Sequence, residues 1–202
     1  MTLILAALAA ACGLARLVLF IALHLVKSEY SMVSHAVSDY AVGSTRRLSS
    51  AMTWVTVPFW GLLAAAVVVG LPDWEDSTFV SIALAVLALI FLALPFVPTD
   101  LEGEKLTTIG RLHYLMAIAW FALSYACMGN FVRLFSAEGP APLAQLLQVI
   151  SWLALVSLIV SVAVLIIKPL RPKFFGIAER IFILSVNLFY IGAAIGIIVI
   201  AG

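Results

Sequence analysis

The chain has 202 residues, of which 65% are hydrophobic and only 10% are charged, and its formal net charge is +1. Soluble globular domains contain much less apolar and much more charged sequence, so the composition excludes a soluble enzyme or binding module. A charge balance this close to neutral gives no support to nucleic-acid binding. The composition predicts an integral membrane protein.

Six apolar blocks follow one another along the chain, and each is long enough to cross a hydrocarbon core of roughly 30 Å as an α-helix. They cover residues 2–26, 50–70, 79–97, 108–135, 143–167 and 177–201. The first block has no basic start and is too long for a secretory signal, so it is predicted to be a span. We therefore expect an all-α protein in which residues 1–202 form a single polytopic membrane bundle of six transmembrane helices.

Lys and Arg residues are unevenly distributed over the segments that join these spans. Most of them fall in the first, third and fifth connections or at the adjoining span ends: Lys27, Arg46, Arg47, Lys105, Arg111, Lys168, Arg171, Lys173 and Arg180. Because basic loops stay in the cytoplasm, these connections are predicted to be cytoplasmic, with the N- and C-termini outside. The expected location is the cell membrane, with membrane lipids as partners.

The first connection carries a regular polar pattern. The i, i+3, i+4, i+7 spacing of one helix face is followed by Ser31, Ser34, His35 and Ser38. This spacing predicts a short amphipathic helix between spans one and two, ended by Gly43. His35 and Asp39 are four residues apart, which suits a pair of metal ligands or a carboxylate that orients an imidazole. The alternative is an interfacial helix whose polar side chains only face water.

The third connection and the start of the fourth span supply a second set of polar residues. Asp100 precedes that span, and His113 lies more than one turn inside it. An ionisable group within a span is by default a hypothesis for a functional site. The alternative is a histidine that pairs with Asp100 or Asp39 only to hold the helices together.

Arg16 is the most deeply placed charge. Counting back from Lys27 at 1.5 Å per residue puts it about 16 Å below the nearer interface, close to the bilayer centre. It therefore needs a counter-charge, and the natural ones are Asp39, Asp100 or a lipid phosphate, since a guanidinium suits carboxylate and phosphate groups.

Three further charged residues are candidates for contact with a lipid headgroup. Glu179 and Arg180 open the last span, and Arg111 opens the fourth. A capping role for Glu179 at the helix N-terminus and snorkelling of Arg180 are the alternatives.

Four segments resemble a known family: YSMVSHAVSDYA after the first span, LPFVPTD at the end of the third, TTIGRLH opening the fourth and GIAERI opening the sixth. They resemble the domain of unknown function 998 family, which consists of six-span prokaryotic membrane proteins, and the resemblance covers nearly the whole chain. Its SD motif is also similar to that of the Frag1/DRAM/Sfk1 proteins, some of which are linked to the remodelling of lipid anchors.

The leading functional hypothesis is a lipid-directed hydrolase whose site opens to the cytoplasmic leaflet. Its catalytic residues are Asp39, Asp100, His113 and Ser38. A distant similarity to the ceramidase and adiponectin-receptor superfamily implies a metal, with zinc as the expected ion, held by His35, Asp39, Asp100 and His113. Headgroup contacts are assigned to Arg16, Arg111, Glu179 and Arg180. Without metal, His113 acts as a general base.

The alternative is a non-catalytic membrane protein that binds a lipid or small amphiphile, or that serves as a scaffold. Two further alternatives are a transporter and a haem protein with His24 and His113 as ligands, for which the sequence offers less support. The observation that separates a binding or catalytic site from a structural network is whether the polar residues surround an open cavity or close on one another.

Overall fold

The computed structural model of the chain describes residues 1–101 and 105–202, and the regular secondary structure in them is helical. Its α-helices are α1 (Thr2–Leu25), α2 (Arg46–Gly70), α3 (Ser77–Ala93), α4 (Thr108–Ala126), α5 (Met128–Glu138), α6 (Ala141–Ile166) and α7 (Arg171–Ala201). Short 3-10 helices lie at Val37–Ala41, Gly43–Thr45, Leu94–Phe96 and Lys168–Leu170. Six stretches in the described residues are long and apolar enough to cross a membrane. The predicted all-α, six-span fold is confirmed.

The last span lies at the centre of the bundle. It is the most buried of the six, because α7 packs against α1 on one side and α6 on the other, while α1 packs in turn against α2. The Tyr190 hydroxyl of α7 donates to the Ser124 carbonyl of α4 at 2.6 Å. The fourth span consists of α4 and α5, which meet at a break at Cys127.

The first connection (residues 26–45) differs from the predicted amphipathic α-helix. Residues 32–34 form a turn, and a 3-10 helix follows at Val37–Ala41. Side chains compete with helical hydrogen bonds in this segment, since the backbone N–H of Ser31 donates to His35 Nδ1 and that of Val33 donates to Ser31 Oγ. Serine and histidine groups so close to their own backbone favour turns over a helix of only two turns.

The last helix begins earlier than the sequence predicts. The sequence predicts the sixth span over residues 177–201, but α7 already starts at Arg171. Pro172 stands in the first turn of the helix, where a missing backbone N–H costs nothing because that group has no helical acceptor. The charged pair Glu179 and Arg180 is therefore in the third turn of the helix, away from the N-terminal capping positions.

The two ends of the bundle differ in charge. The first, third and fifth connections meet at one end, called the basic end below because it carries the Lys and Arg residues described above. At the opposite end, Arg133 forms an ion pair with Asp76 at 2.9 Å. The assignment of the basic end to the cytoplasm stays a prediction.

Candidate functional site

A cavity of about 510 Å³ lies inside the basic end of the bundle. Its walls come from α1, the first connection, α2, the segment that ends α3, α4 and α7. The exposed residues Ala41, Gly43 and Arg46 line its mouth. A volume of this size lies in the range of sites that hold one small ligand. The basic end therefore contains an open cavity large enough for one small ligand.

The cavity is amphipathic. Its lining contains the hydroxyl-bearing residues Ser38, Ser49, Ser50, Thr53 and Thr99 and the aromatic or aliphatic residues Phe91, Trp120, Phe121 and Ile183. Four of the site residues predicted from sequence also line it: Arg16, Ser38, His113 and Glu179. A molecule with both a polar group and a hydrocarbon portion matches this lining better than a fully polar or fully apolar one.

Arg16 is the most buried of the charged residues that line the cavity. Its side chain is 2% exposed, and its Nε and Nη1 donate to Thr56 Oγ1 at 3.1 Å and to Asn187 Oδ1 at 2.5 Å. Both acceptors are neutral. In residues 1–101 and 105–202 no carboxylate pairs with this guanidinium, so Asp39 and Asp100 are not the counter-charges that the sequence predicted.

His113 is held by the backbone of the third connection. Its Nδ1 lies 2.7 Å from the Val97 carbonyl oxygen, and because a carbonyl can only accept, Nδ1 must carry the proton. In the neutral ring Nε2 then presents a lone pair. Among the described residues Nε2 has no hydrogen-bond partner, so this nitrogen is available to a molecule in the cavity.

The first connection is fastened to α7 through its backbone. Val37 N–H donates to Glu179 Oε2 at 2.7 Å, Gly176 N–H donates to the Val33 carbonyl at 2.9 Å, and Arg180 Nη1 donates to the His35 carbonyl at 2.8 Å. Glu179 is 7% exposed. These bonds hold the first connection over the cavity as part of its wall.

Arg180 also joins α7 to α1. Its Nε donates to His24 Nε2 at 2.8 Å, and its guanidinium lies over the Tyr40 ring at 5.4 Å from the ring centroid. The other ring nitrogen of His24 lies 2.6 Å from the Phe20 carbonyl oxygen. Both nitrogens of His24 are thus hydrogen-bonded, which leaves neither free for the haem that the sequence suggested as a less favoured alternative.

Asp39 and His35 each form hydrogen bonds within the first connection. Asp39 Oδ2 accepts from the Ala36 N–H at 3.0 Å and thereby caps the 3-10 helix that contains it. His35 Nδ1 is bonded to Ser34 Oγ at 3.1 Å and to the Ser31 N–H at 3.2 Å. Neither residue lines the cavity.

Asp100 caps the start of the fourth span. Its Oδ2 and Oδ1 accept from the N–H and hydroxyl of Thr107 at 2.6 and 3.0 Å, while Thr107 Oγ1 accepts from the Gly110 N–H at 3.0 Å. A Cβ on Gly110 would overlap the Asp100 carboxylate. The PTD and TTIG segments therefore form the N-terminal cap of α4. Arg111, one residue further along, is exposed and lies away from the cavity.

Loss of this cap should be measurable. We expect Asp100→Ala to destabilise the protein by about 1–2 kcal/mol, since a cap and a favourable charge at a helix N-terminus are removed together. Thermal unfolding of the purified protein measures the change. Asp73→Ala is the matched control, because Asp73 is exposed and has no hydrogen bond in the described part of the chain. Equal melting temperatures for the two variants would contradict the capping role.

The predicted metal ligands are not assembled. Within residues 1–101 and 105–202, no group of three or more His, Cys, Asp or Glu side chains is placed to hold a metal ion. The reason is that His35, Asp39 and Asp100 bond to their own connections, and of the four predicted ligands only His113 faces the cavity.

Two groups of residues in or next to the cavity were not predicted from sequence: Ser49 and Thr53 line it, while Thr56 and Asn187 bind Arg16. Ser49, Thr53 and Thr56 fall on one helical stripe of α2, a pattern visible in the sequence, yet hydroxyls at a span end look like ordinary interfacial residues. Asn187 lies in the last span, and because its contact with Arg16 joins residues that are 171 positions apart, no local pattern reveals it.

A family model described as "Protein of unknown function (DUF998)" matches residues 9–196 of the chain. No curated protein and no solved structure matches it. The matched range contains the four motifs and the whole cavity lining.

Proposed function

This chain belongs to the DUF998 family of membrane proteins, as its motifs predicted, and we propose that it binds one amphiphilic molecule from the membrane in the cavity at its basic end. The observation that carries the proposal is the open cavity with hydroxyl groups and charges on some walls and aromatic and aliphatic side chains on others. Binding sites for small molecules combine such apolar walls with a few placed polar groups.

The test is to fill the cavity and to analyse what the protein retains. Ala117 lines the cavity, whereas Ile118, the next residue of α4, is 65% exposed on the outside of the bundle. We expect wild type and Ile118→Phe to retain an amphiphile through purification in a neutral detergent, detected by mass spectrometry of the extract, and Ala117→Phe to lose most of it. Equal retention by all three proteins would contradict the proposal.

Hydrolysis of the bound amphiphile is the second candidate, and the geometry of His113 favours it. With its proton on Nδ1, the ring can accept a proton at Nε2. In this proposal the Ser38 hydroxyl adds to an ester carbonyl and passes its proton to Nε2, which returns it to the departing alcohol. Water then cleaves the acyl group from Ser38 by the same proton transfers. This mechanism uses no metal and follows the metal-free alternative in which His113 acts as a general base.

A matched pair of histidine variants tests this activity. We expect His113→Gln to lower the release of fatty acid from ester lipids by about 10²-fold or more, the usual share of a general base, and Ser38→Ala to abolish it. His35→Gln makes the same chemical change outside the cavity and should retain the activity. If wild type releases no fatty acid from any ester lipid, binding without catalysis is the remaining function.

A further inference from the structure

Arg16 is a buried cation with no carboxylate partner among residues 1–101 and 105–202. The guanidinium is 2% exposed and is bonded to a hydroxyl and an amide, both neutral. Glu179, the buried carboxylate that also lines the cavity, is eight residues along α7 from Asn187, an axial offset of about 12 Å. Charges in a span face a cavity or a partner because an isolated charge is costly there.

The unused hydrogen-bond donors of Arg16 indicate which chemical group of a ligand fits the cavity. A guanidinium has five N–H groups in a planar fork, of which one on Nε and one on Nη1 are used. Three have no partner in the part of the chain that the structure describes, one on Nη1 and two on Nη2, and the residue lines the cavity. Such a fork fits two oxygens of a carboxylate or a phosphate.

The apolar residues that line the cavity together with Arg16 indicate the chemical nature of the rest of the ligand. Trp120, Phe121 and Ile183 are apolar wall residues of the same cavity, and Trp120 and Ile183 are buried in the core of the bundle. A free inorganic anion would leave these walls in contact with water. A hydrocarbon chain attached to the anion covers them.

We infer that Arg16 is the anion site of the cavity and that the ligand is a single-chain amphiphile that ends in a carboxylate or a phosphate monoester. The inference rests on the proposed function and specifies its ligand class. The anionic group lies at the inner end of the cavity, on Arg16, and the chain lies against Trp120 and Phe121.

Four probes test the inference on the full chain in a neutral maltoside detergent: dodecanoate, dodecyl phosphate, dodecanol and inorganic phosphate. Native mass spectrometry counts the bound molecules directly. We expect dodecanoate and dodecyl phosphate to bind about tenfold or more tightly than dodecanol, because hydrogen bonds to charged groups are among the strong ones. At the same concentration, inorganic phosphate should neither bind nor displace dodecanoate or dodecyl phosphate.

Two variants assign the preference to Arg16. In Arg16→Gln the two anionic probes should bind no more tightly than dodecanol. Asn187→Asp places a carboxylate where Oδ1 already meets Arg16, so it should remove the anion preference while it keeps a charged partner for the folded protein. Arg133→Gln, at the opposite end of the bundle, is the matched control and should keep the preference of wild type.

The outcomes separate the inference from the proposed function. Equal binding of dodecanoate and dodecanol by wild type, or an anion preference that survives in both Arg16→Gln and Asn187→Asp, overturns the anion site and leaves amphiphile binding intact. Displacement of both anionic probes by inorganic phosphate overturns the amphiphile as ligand. Failure of dodecanol and both anionic probes to bind overturns the proposed function itself. The comparison of dodecanoate with dodecanol on the wild-type protein tests the anion site even if a variant does not fold.

Discussion

Gly176→Ala is expected to lower the melting temperature of the protein by about 4–8 °C, equivalent to roughly 2 kcal/mol for a chain of this size. A Cβ at position 176 would lie 2.5 Å from the Met32 carbonyl oxygen and 2.8 Å from the His35 carbonyl oxygen. Both are backbone atoms, so a side-chain movement cannot relieve the overlap. The added methyl group should push the first connection away from α7 and weaken the bond from Gly176 N–H to Val33.

The expected decrease in stability is opposite to the usual effect of replacing glycine by alanine in a helix. Replacing glycine by alanine inside a helix ordinarily stabilises it by about 0.5–1 kcal/mol. Gly61 of α2 is the matched control, because the nearest atom to its added Cβ is a side-chain atom of Ala88 at 4.0 Å. Gly61→Ala should therefore melt at or above the wild-type temperature in the same thermal scan. A Gly176→Ala protein as stable as Gly61→Ala would show that α7 and the first connection are not tightly packed.

Asn187→Ala is expected to destabilise the protein by about 2–4 kcal/mol. The side-chain amide accepts from Arg16 through Oδ1 and donates to the Gly13 carbonyl through Nδ2 at 3.2 Å. Its removal leaves a buried cation with one neutral partner, Thr56. Thermal unfolding in detergent measures the loss, and dodecanoate should restore part of it if the anion binds Arg16.

Ser185 is the control for that experiment. It lies on the same helix and is 2% exposed, but its hydroxyl donates only to the Ile181 carbonyl of its own helix at 2.8 Å. Ser185→Ala should change the free energy of unfolding by about 1 kcal/mol or less, since no contact between helices is lost. If the two variants are equally stable, the Arg16 network contributes nothing to holding α1 and α7 together.

The spans could be predicted from sequence because the bilayer imposes a simple requirement on them. A stretch of apolar residues about 30 Å long must satisfy its backbone internally, and composition shows such stretches directly. The ends of the helices were less predictable. The sequence predicts that the sixth span begins at residue 177, whereas α7 begins at Arg171, and Pro172 stands where proline is typical of a helix start.

The site was only partly predictable because the spacing of residues does not distinguish a carboxylate that caps a helix from one that binds a metal. Asp100 with Thr107 and Asp39 with Ala36 are short-range caps, and a carboxylate near a histidine in sequence has the same appearance whether it binds metal or a backbone N–H. The depth of Arg16 follows from counting residues. Its neutral partners Thr56 and Asn187 do not, since they depend on how α1, α2 and α7 pack.

The attachment of the first connection through its backbone has a consequence for evolution within the family. The groups that α7 contacts are the Val33 carbonyl, the His35 carbonyl and the Val37 N–H, which any amino acid other than proline at position 37 provides. Selection should therefore act on the α7 side of these contacts. We expect homologous sequences to vary freely at positions 33 and 35 while they keep glycine at 176, an acid at 179 and arginine at 180.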